Sequence, residues 1–347
     1  MADLKGTIFV TGTNGGLGSA IVSKIISSPE LSANYYGIYT VRKVETATAL
    51  NQALASVPST HSFDKVALDL STLSNVRGVA NAINRRVAEG SLPPIRALIL
   101  NAGYQEHTTH DFSPDGFDMT FQSNYLSHWL LTLMLLQSMD KEHGRVVVLG
   151  SWLHDPADPR NNSMGVYHDE KWKVLFHDTE SLAKGTWSST KEDPTMNAGF
   201  RRYGAAKLCE VMMIHELQKR LDSDPALSNI SILGVDPGGM PSGIARRGNF
   251  LFTVVLRYLL PLLATIMTAL SPNGSLRTTT KSANDVVRAA FDTEALGERP
   301  KDLYLNGTDP LETSVEARDP NKREALWRDS VGYAGLRAEE TALVNWK

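Results

Sequence analysis

Thr11-Gly12-Thr13-Asn14-Gly15-Gly16-Leu17-Gly18 follows the apolar run Thr7-Ile8-Phe9-Val10 and precedes the helical run Ser19 to Ile26. Together these make a strand, a glycine turn and a helix. Glycines let a backbone turn tightly and approach a ligand where a Cβ would clash, and a helix N-terminus offers unpaired N–H groups and partial positive charge to a pyrophosphate. The stretch therefore predicts a dinucleotide site, with Gly12, Thr13, Asn14, Gly16, Leu17 and Gly18 as candidate contacts. Ordinary βα turns also use glycine, but the strand before and helix after supply the context this fingerprint requires.

Moving outward, Tyr35 to Val41 reads as the second strand and runs into Arg42-Lys43. An acid at the tip of this strand binds a free ribose 2′-OH, whereas an arginine accommodates a 2′-phosphate. Arg42 thus points to NADP(H), with a solvated surface arginine as the alternative and nearby Glu45 as the competing ribose acid. A short helix over Ala47 to Ser56, a strand over Phe63 to Leu70, a helix over Leu73 to Ala88 and a strand over Ile95 to Leu100 follow. This alternation predicts an α/β, Rossmann-type, doubly wound parallel sheet with helices on both faces. Further on, Arg145 to Ser151 reads as the fifth strand, buried by its unbroken apolar run, with Ser151 at its C-terminal end, where parallel sheets place ligands.

With 347 residues the chain is long for one domain, yet no linker divides it. The charged fraction is 21% and the hydrophobic fraction 42%, ordinary for a globular protein with a sizeable core. A net charge of −3 and no long basic run argue against a nucleic-acid partner. The single cysteine, Cys209, excludes an internal disulfide framework and fits a reducing compartment. Met1 to Lys5 runs straight into the first strand, leaving no room for a signal peptide, so a cytoplasmic location is expected.

Two Tyr-x-x-x-Lys matches compete: Tyr167 to Lys171 and Tyr203 to Lys207. Four-residue spacing on a helix puts both side chains on one face, with the ammonium near the phenol. Only Tyr203 opens a long helical run, to Leu221, that is followed by a strand, Ile230 to Val235; Tyr167 falls in a segment without either. Residues 152–199 then form an insertion expected to wall the substrate side. Its His154, Asp155, Asp158, His168, Asp169, His177 and Asp178 repeat no ligand spacing, so no metal is expected.

The glycine turn, Asp69, Asn101-Ala102-Gly103, Ser151 and Tyr203-x-x-x-Lys207, in this order, resemble the short-chain dehydrogenase/reductase family. The resemblance covers nearly the whole chain as a single domain over residues 1–347. It implies that Asp69, with Leu70 beside it, meets adenine and that Asn101, Ala102 and Gly103 stabilise the sheet beside the cofactor. It also implies that Asn124 holds a relay water, while His128 one turn on is packed. Ser151 would polarise a substrate carbonyl and Tyr203 would act as general acid/base. Lys207 would bind the nicotinamide ribose and lower the Tyr203 pKa toward working pH. Asp236-Pro237-Gly238-Gly239-Met240-Pro241-Ser242 resembles the family segment that holds the carboxamide, so Pro237, Gly238, Met240 and Ser242 join the cofactor candidates; Ser242 stands where the family usually has threonine.

Phe250 to Leu270 is apolar and long enough to span a bilayer, but Arg257 and Pro261 lie near its centre. The resemblance implies mobile helices here, so residues 243–280 are expected to form a substrate lid whose apolar face the domain covers. A membrane-surface segment is the less favoured reading. The tail, Ser314 to Asp319 with Leu326-Trp327, is similar to that of the retinol dehydrogenase and protochlorophyllide reductase branch. The expected activity is NADP(H)-dependent interconversion of a carbonyl and an alcohol on a bulky apolar small molecule. Reduction of a conjugated C=C bond and a non-catalytic NADP-sensing protein are the alternatives, and monomer and homodimer stay equally open.

Overall fold

The structure is a computed structural model that describes residues 4–241 and 250–347, with side chains described outside 250–259. Ser242 and the first part of the expected lid lie outside the described residues. The strands are β1 (Gly6–Val10), β2 (Tyr35–Val41), β3 (Phe63–Ala67), β4 (Ile95–Leu100), β5 (Arg145–Leu149), β6 (Ser231–Asp236), β7 (Leu303–Asn306) and β8 (Asp309–Pro310). They form one sheet in the order β3-β2-β1-β4-β5-β6-β7-β8. All pairings are parallel except that of β7 with β8, a two-residue antiparallel edge that carries no periodic signal. The order reverses between β1 and β4, which leaves a crevice beyond their carboxyl ends.

The helices are α1 (Gly16–Ser27), α2 (Pro29–Asn34), α3 (Thr48–Leu54), α4 (Leu73–Ala88), α5 (Ser127–Leu135), α6 (Thr179–Ala183), α7 (Met196–Asp222), α8 (Phe250–Leu270), α9 (Thr279–Phe291), α10 (Val315–Arg318) and α11 (Pro320–Ala334). β1, β4, β5 and β6 are buried along their whole length, as strands covered on both faces must be. On one face Ile21, Ile25, Leu50 and Val286 of α1, α3 and α9 pack on Ile8, Ile99 and Val147. On the other, Val76, Trp129, Leu208 and Met212 of α4, α5 and α7 pack on Phe9, Leu98 and Val148.

Three segments depart from the sequence reading. The helix carrying Asn124 starts as a π-helical turn, Phe121–Leu126, before α5. α7 starts before Tyr203, at Met196, where Thr195 Oγ1 caps it by accepting from Asn197 N at 3.3 Å. The last residues of the 152–199 insertion therefore belong to the helix that carries Tyr203. Part of the insertion is core: Trp172, Leu175, Phe176 and Leu182 are buried, and Trp172 meets Trp187 edge-on at 5.8 Å, while Trp152, Leu153 and Met164 line the cleft beyond the strand ends. The C-terminal tail clamps the buried part, since the Glu316 carboxylate accepts from Leu175 N at 2.7 Å and Phe176 N at 3.1 Å. Trp327 of α11 meets Trp129 edge-on at 5.3 Å.

In the half of α8 whose side chains are described, Ala264 is buried but Leu262, Leu263, Ile266, Met267 and Leu270 are exposed. The apolar face expected to be covered is open over this half. No helix among the described residues is long and apolar enough to cross a membrane.

Candidate active site

The glycine turn is built by close approach. Gly12 sits at φ +69°, and a Cβ there would come within 2.6 Å of Ala102 Cα; a Cβ on Gly18 would meet Gly12 O at 2.3 Å. The two segments touch because Thr11 Oγ1 accepts from both Asn101 N and Ala102 N at 2.9 Å, while Asn101 Nδ2 donates to Thr11 O at 2.7 Å. Asn14 Oδ1 accepts from Ala49 N at 2.9 Å and so ties the turn to α3. Thr13 is fully buried and its hydroxyl donates to Thr40 O at 3.0 Å. Its side chain pins the turn to β2 and does not line the cleft.

Beyond the switch point opens a cleft of ≈ 920 Å³. Gly12, Asn14, Gly16, Leu17 and Gly18 line one end, with Arg42, Asp69 and Leu70; Asn101, Ala102 and Gly103 line the middle. Ser151, Tyr203, Lys207, Pro237, Gly238 and Met240 line the other end. Arg42 is exposed at the rim beside Lys43, which also lines the cleft, whereas Glu45 does not. A glycine turn that excludes Cβ atoms, a helix N-terminus and two cations at one end could hold a phosphorylated dinucleotide. No cluster of residues that could hold a metal occurs among the described residues.

Ser151 follows β5 and is largely buried, with its Oγ accepting from Leu153 N at 3.2 Å. Lys207 lies one turn beyond Tyr203 on α7, its Nζ 5.4 Å from the phenol ring centre. The ammonium donates to Leu149 O at 2.7 Å and to Glu210 Oε2 at 2.8 Å, with both side chains buried. Burial opposes the charge on Lys207, but the Glu210 carboxylate and the Tyr203 phenol outweigh it and raise its pKa. Burial raises the Tyr203 pKa above that of a free phenol; Lys207 pulls it down, while Glu210 and Asp236 push it up. Lys207 thus pulls the phenol down as expected, but burial outweighs that pull, and Glu210 shares the ammonium.

Asn124 is fully buried and does not line the cleft. Its Oδ1 accepts from Tyr104 N at 2.7 Å, its Nδ2 donates to Tyr104 O at 2.9 Å, and its carbonyl accepts from His128 Nδ1 at 2.8 Å. Its side chain thus anchors the strand-end segment after Gly103. His128 is packed as expected, with Nε2 bonded to the Thr11 hydroxyl at 3.1 Å.

The two tyrosines differ sharply. Tyr167 is buried, donates its hydroxyl to Leu153 O at 2.8 Å, and does not line the cleft. A Cβ on Gly204 would lie 2.1 Å from this hydroxyl, so Tyr167 packs on α7 right behind Tyr203. Lys171 points elsewhere, pairing with Glu192 at 2.7 Å.

The sequence reading missed the wall opposite the cofactor end. Tyr104, Gln105, Phe112, Trp152, Met164 and Phe200 line it, and only Trp152 and Met164 come from the insertion. The Gln105 amide nitrogen is buried without a hydrogen-bond partner. Glu210 was missed too; an acid one turn after Lys207 on a helix otherwise apolar at that level was the available signal.

A crevice of this kind at the switch point of a doubly wound sheet defines a Rossmann-type nucleotide fold. A family model described as short chain dehydrogenase matches residues 6–164. The short-chain dehydrogenase iccH of Talaromyces variabilis is 52% identical over 362 aligned positions that cover 99% of each chain. The chain belongs to the short-chain dehydrogenase/reductase family of oxidoreductases. Protochlorophyllide reductase A of Arabidopsis thaliana is 26% identical, over 71% of this chain and 56% of its own length, in keeping with the branch that the tail resembles. Among solved structures, the angucycline C-6 ketoreductase LanV with bound NADP shares the fold at a TM-score of 0.56 and 18% identity, over 88% of this chain and 96% of that one.

Proposed function

We propose that the protein is an NADP(H)-dependent reductase that interconverts a carbonyl and an alcohol on a bulky apolar small molecule. The observation that carries this reading is one continuous cleft joining the glycine turn and Arg42 to Ser151, Tyr203 and Lys207, with an aromatic wall beyond them. Gly12, Gly16 and Gly18 would admit the pyrophosphate, Asp69 and Leu70 would meet the adenine end, and Arg42 would take the 2′-phosphate. Asn101 to Gly103, Pro237, Gly238, Met240 and Lys207 would hold the nicotinamide half, with Ser242 as a further contact. When bound, the nicotinamide supplies or accepts hydride.

The residues do the rest. A carbonyl that gains hydride builds negative charge on oxygen, and Ser151 Oγ would donate a hydrogen bond to it. Tyr203 would deliver the proton. Its raised pKa keeps the phenol protonated at neutral pH, the form that reduction needs. Asn124 would act by fixing Tyr104 at the wall, and the Gln105 amide is a further donor for a polar group on the substrate. Tyr104, Phe112, Trp152, Met164 and Phe200 favour a large, flat, apolar skeleton. The similarity to protochlorophyllide reductase favours a second reading, reduction of a conjugated C=C bond, in which the same Tyr203 protonates carbon.

Cofactor choice is testable on one residue. Arg42→Ala should weaken NADPH binding by roughly 1.5–3 kcal/mol, the range for a hydrogen bond to a charged group, and leave NADH binding unchanged. Fluorescence titration of both cofactors measures this, and equal losses would remove Arg42 from the 2′-phosphate site.

A further inference from the structure

Glu210 is an acid with only 1% of its side chain exposed, and its two oxygens have different surroundings. Oε2 accepts from Lys207 Nζ at 2.8 Å. Oε1 has no hydrogen-bond partner and faces His128 Nδ1 at 3.9 Å, although that nitrogen is committed to Asn124 O. A carboxylate left half-satisfied in the interior is costly, and a helix position three residues after Lys207 could hold an apolar side chain at less cost. Its one strong interaction is with the ammonium that the reaction would use.

We propose that Glu210 is a positioning residue that competes with Tyr203 for the Lys207 ammonium, keeps the phenol in its proton-carrying form, and thereby biases the site toward reduction. The inference rests on the reading of Tyr203 as the proton donor. Lys207 is held between Leu149 O and Glu210, so its charge is partly neutralised by the Glu210 carboxylate rather than by the phenol oxygen. A phenolate at Tyr203 would face Lys207 already paired and would lie near two further carboxylates, Glu210 and Asp236. The other titratable or charged groups around this set are Arg160, paired with Asp236 at 2.9 Å, Tyr304 on β7, His128 on α5, and Cys209 on α7 with Glu316 behind it. None of them supplies a second cation to Lys207's immediate neighbourhood except Arg160, which Asp236 and Asp158 already engage.

The test is a tyrosinate titration by ultraviolet absorbance, taken as the difference between each protein and the same protein carrying Tyr203→Phe. It needs no substrate. Glu210→Gln keeps the shape and removes the charge, so the Tyr203 transition should move to lower pH by about one unit, the scale expected when a nearby like charge is lost. Glu210→Asp, which keeps the charge, should lie between the two. With a turned-over carbonyl substrate, the alkaline limb of the reduction profile should move down with the titration. An unchanged transition in Glu210→Gln, with only the melting temperature lowered, would overturn the proposal. Should Glu210→Gln fail to fold, Glu210→Leu removes the charge without leaving a polar group to satisfy; failure of both would make the pair purely structural and overturn it equally. Absence of any carbonyl turnover by the wild type would count against the proposed function, while the titration would still decide the role of Glu210.

Discussion

Tyr203→Phe should lower turnover by about 10²–10⁴-fold, the usual contribution of a positioned general acid, while NADPH affinity stays nearly unchanged. The substitution keeps the ring and its packing on Lys207 and deletes only the proton that a nascent alkoxide must receive. Tyr167→Phe is the matched control. It removes the hydrogen bond to Leu153 O and leaves that carbonyl unpaired, a stability cost of about 1–3 kcal/mol, yet its ring lies outside the cleft. Its chemical step should stay intact. Steady-state assays of both variants at saturating NADPH decide between the two Tyr-x-x-x-Lys matches. Loss of turnover in Tyr167→Phe, with Tyr203→Phe active, would reverse the assignment and take Lys207 with it.

Ser151→Ala should cost about 10²–10³-fold in kcat with little change in KM, the magnitude for removing one donor to a developing oxyanion. Ser151 Oγ also accepts from Leu153 N at 3.2 Å, a bond that uses a lone pair and leaves the hydroxyl proton to turn toward a substrate. A loss in KM alone would mean that Ser151 binds ground state and transition state equally and does no chemistry. A loss below a few-fold would remove it from the site.

What could be read from the chain was what local sterics and periodicity dictate. The glycine turn was legible because a Cβ at Gly12 or Gly18 has no room, and the sheet because β1, β4, β5 and β6 are short, mostly apolar runs alternating with helical segments. Ser151 and the Tyr203–Lys207 pair were placed by strand end and helix spacing, and they meet in the cleft. The anchoring role of the Thr13 hydroxyl was not legible because it depends on Thr40, a residue of the next strand that sequence proximity does not reveal. That the Asn124 amide closes on the backbone of Tyr104 was not legible, because the two meet only through the fold. The insertion was legible as extra length between Ser151 and Tyr203, but not the tie of its buried part to the tail, which runs through Glu316 to Leu175 and Phe176 and joins segments far apart in sequence. The direction of the Tyr203 shift was beyond reach for a related reason: it turns on burial and on where Glu210 sends the Lys207 ammonium.

The central claim is that Tyr203, Lys207 and Ser151 serve hydride transfer to a carbonyl carbon with NADPH. It is tested most directly by incubating the protein with NADPH that carries deuterium on the transferring face, against a panel of bulky aromatic ketones and enones, and locating the label by mass spectrometry and NMR. Carbonyl reduction predicts stoichiometric NADPH consumption with one deuterium on the carbinol carbon, abolished in Tyr203→Phe. Deuterium on a former alkene carbon with the carbonyl intact, or no NADPH consumption across the panel, would contradict it.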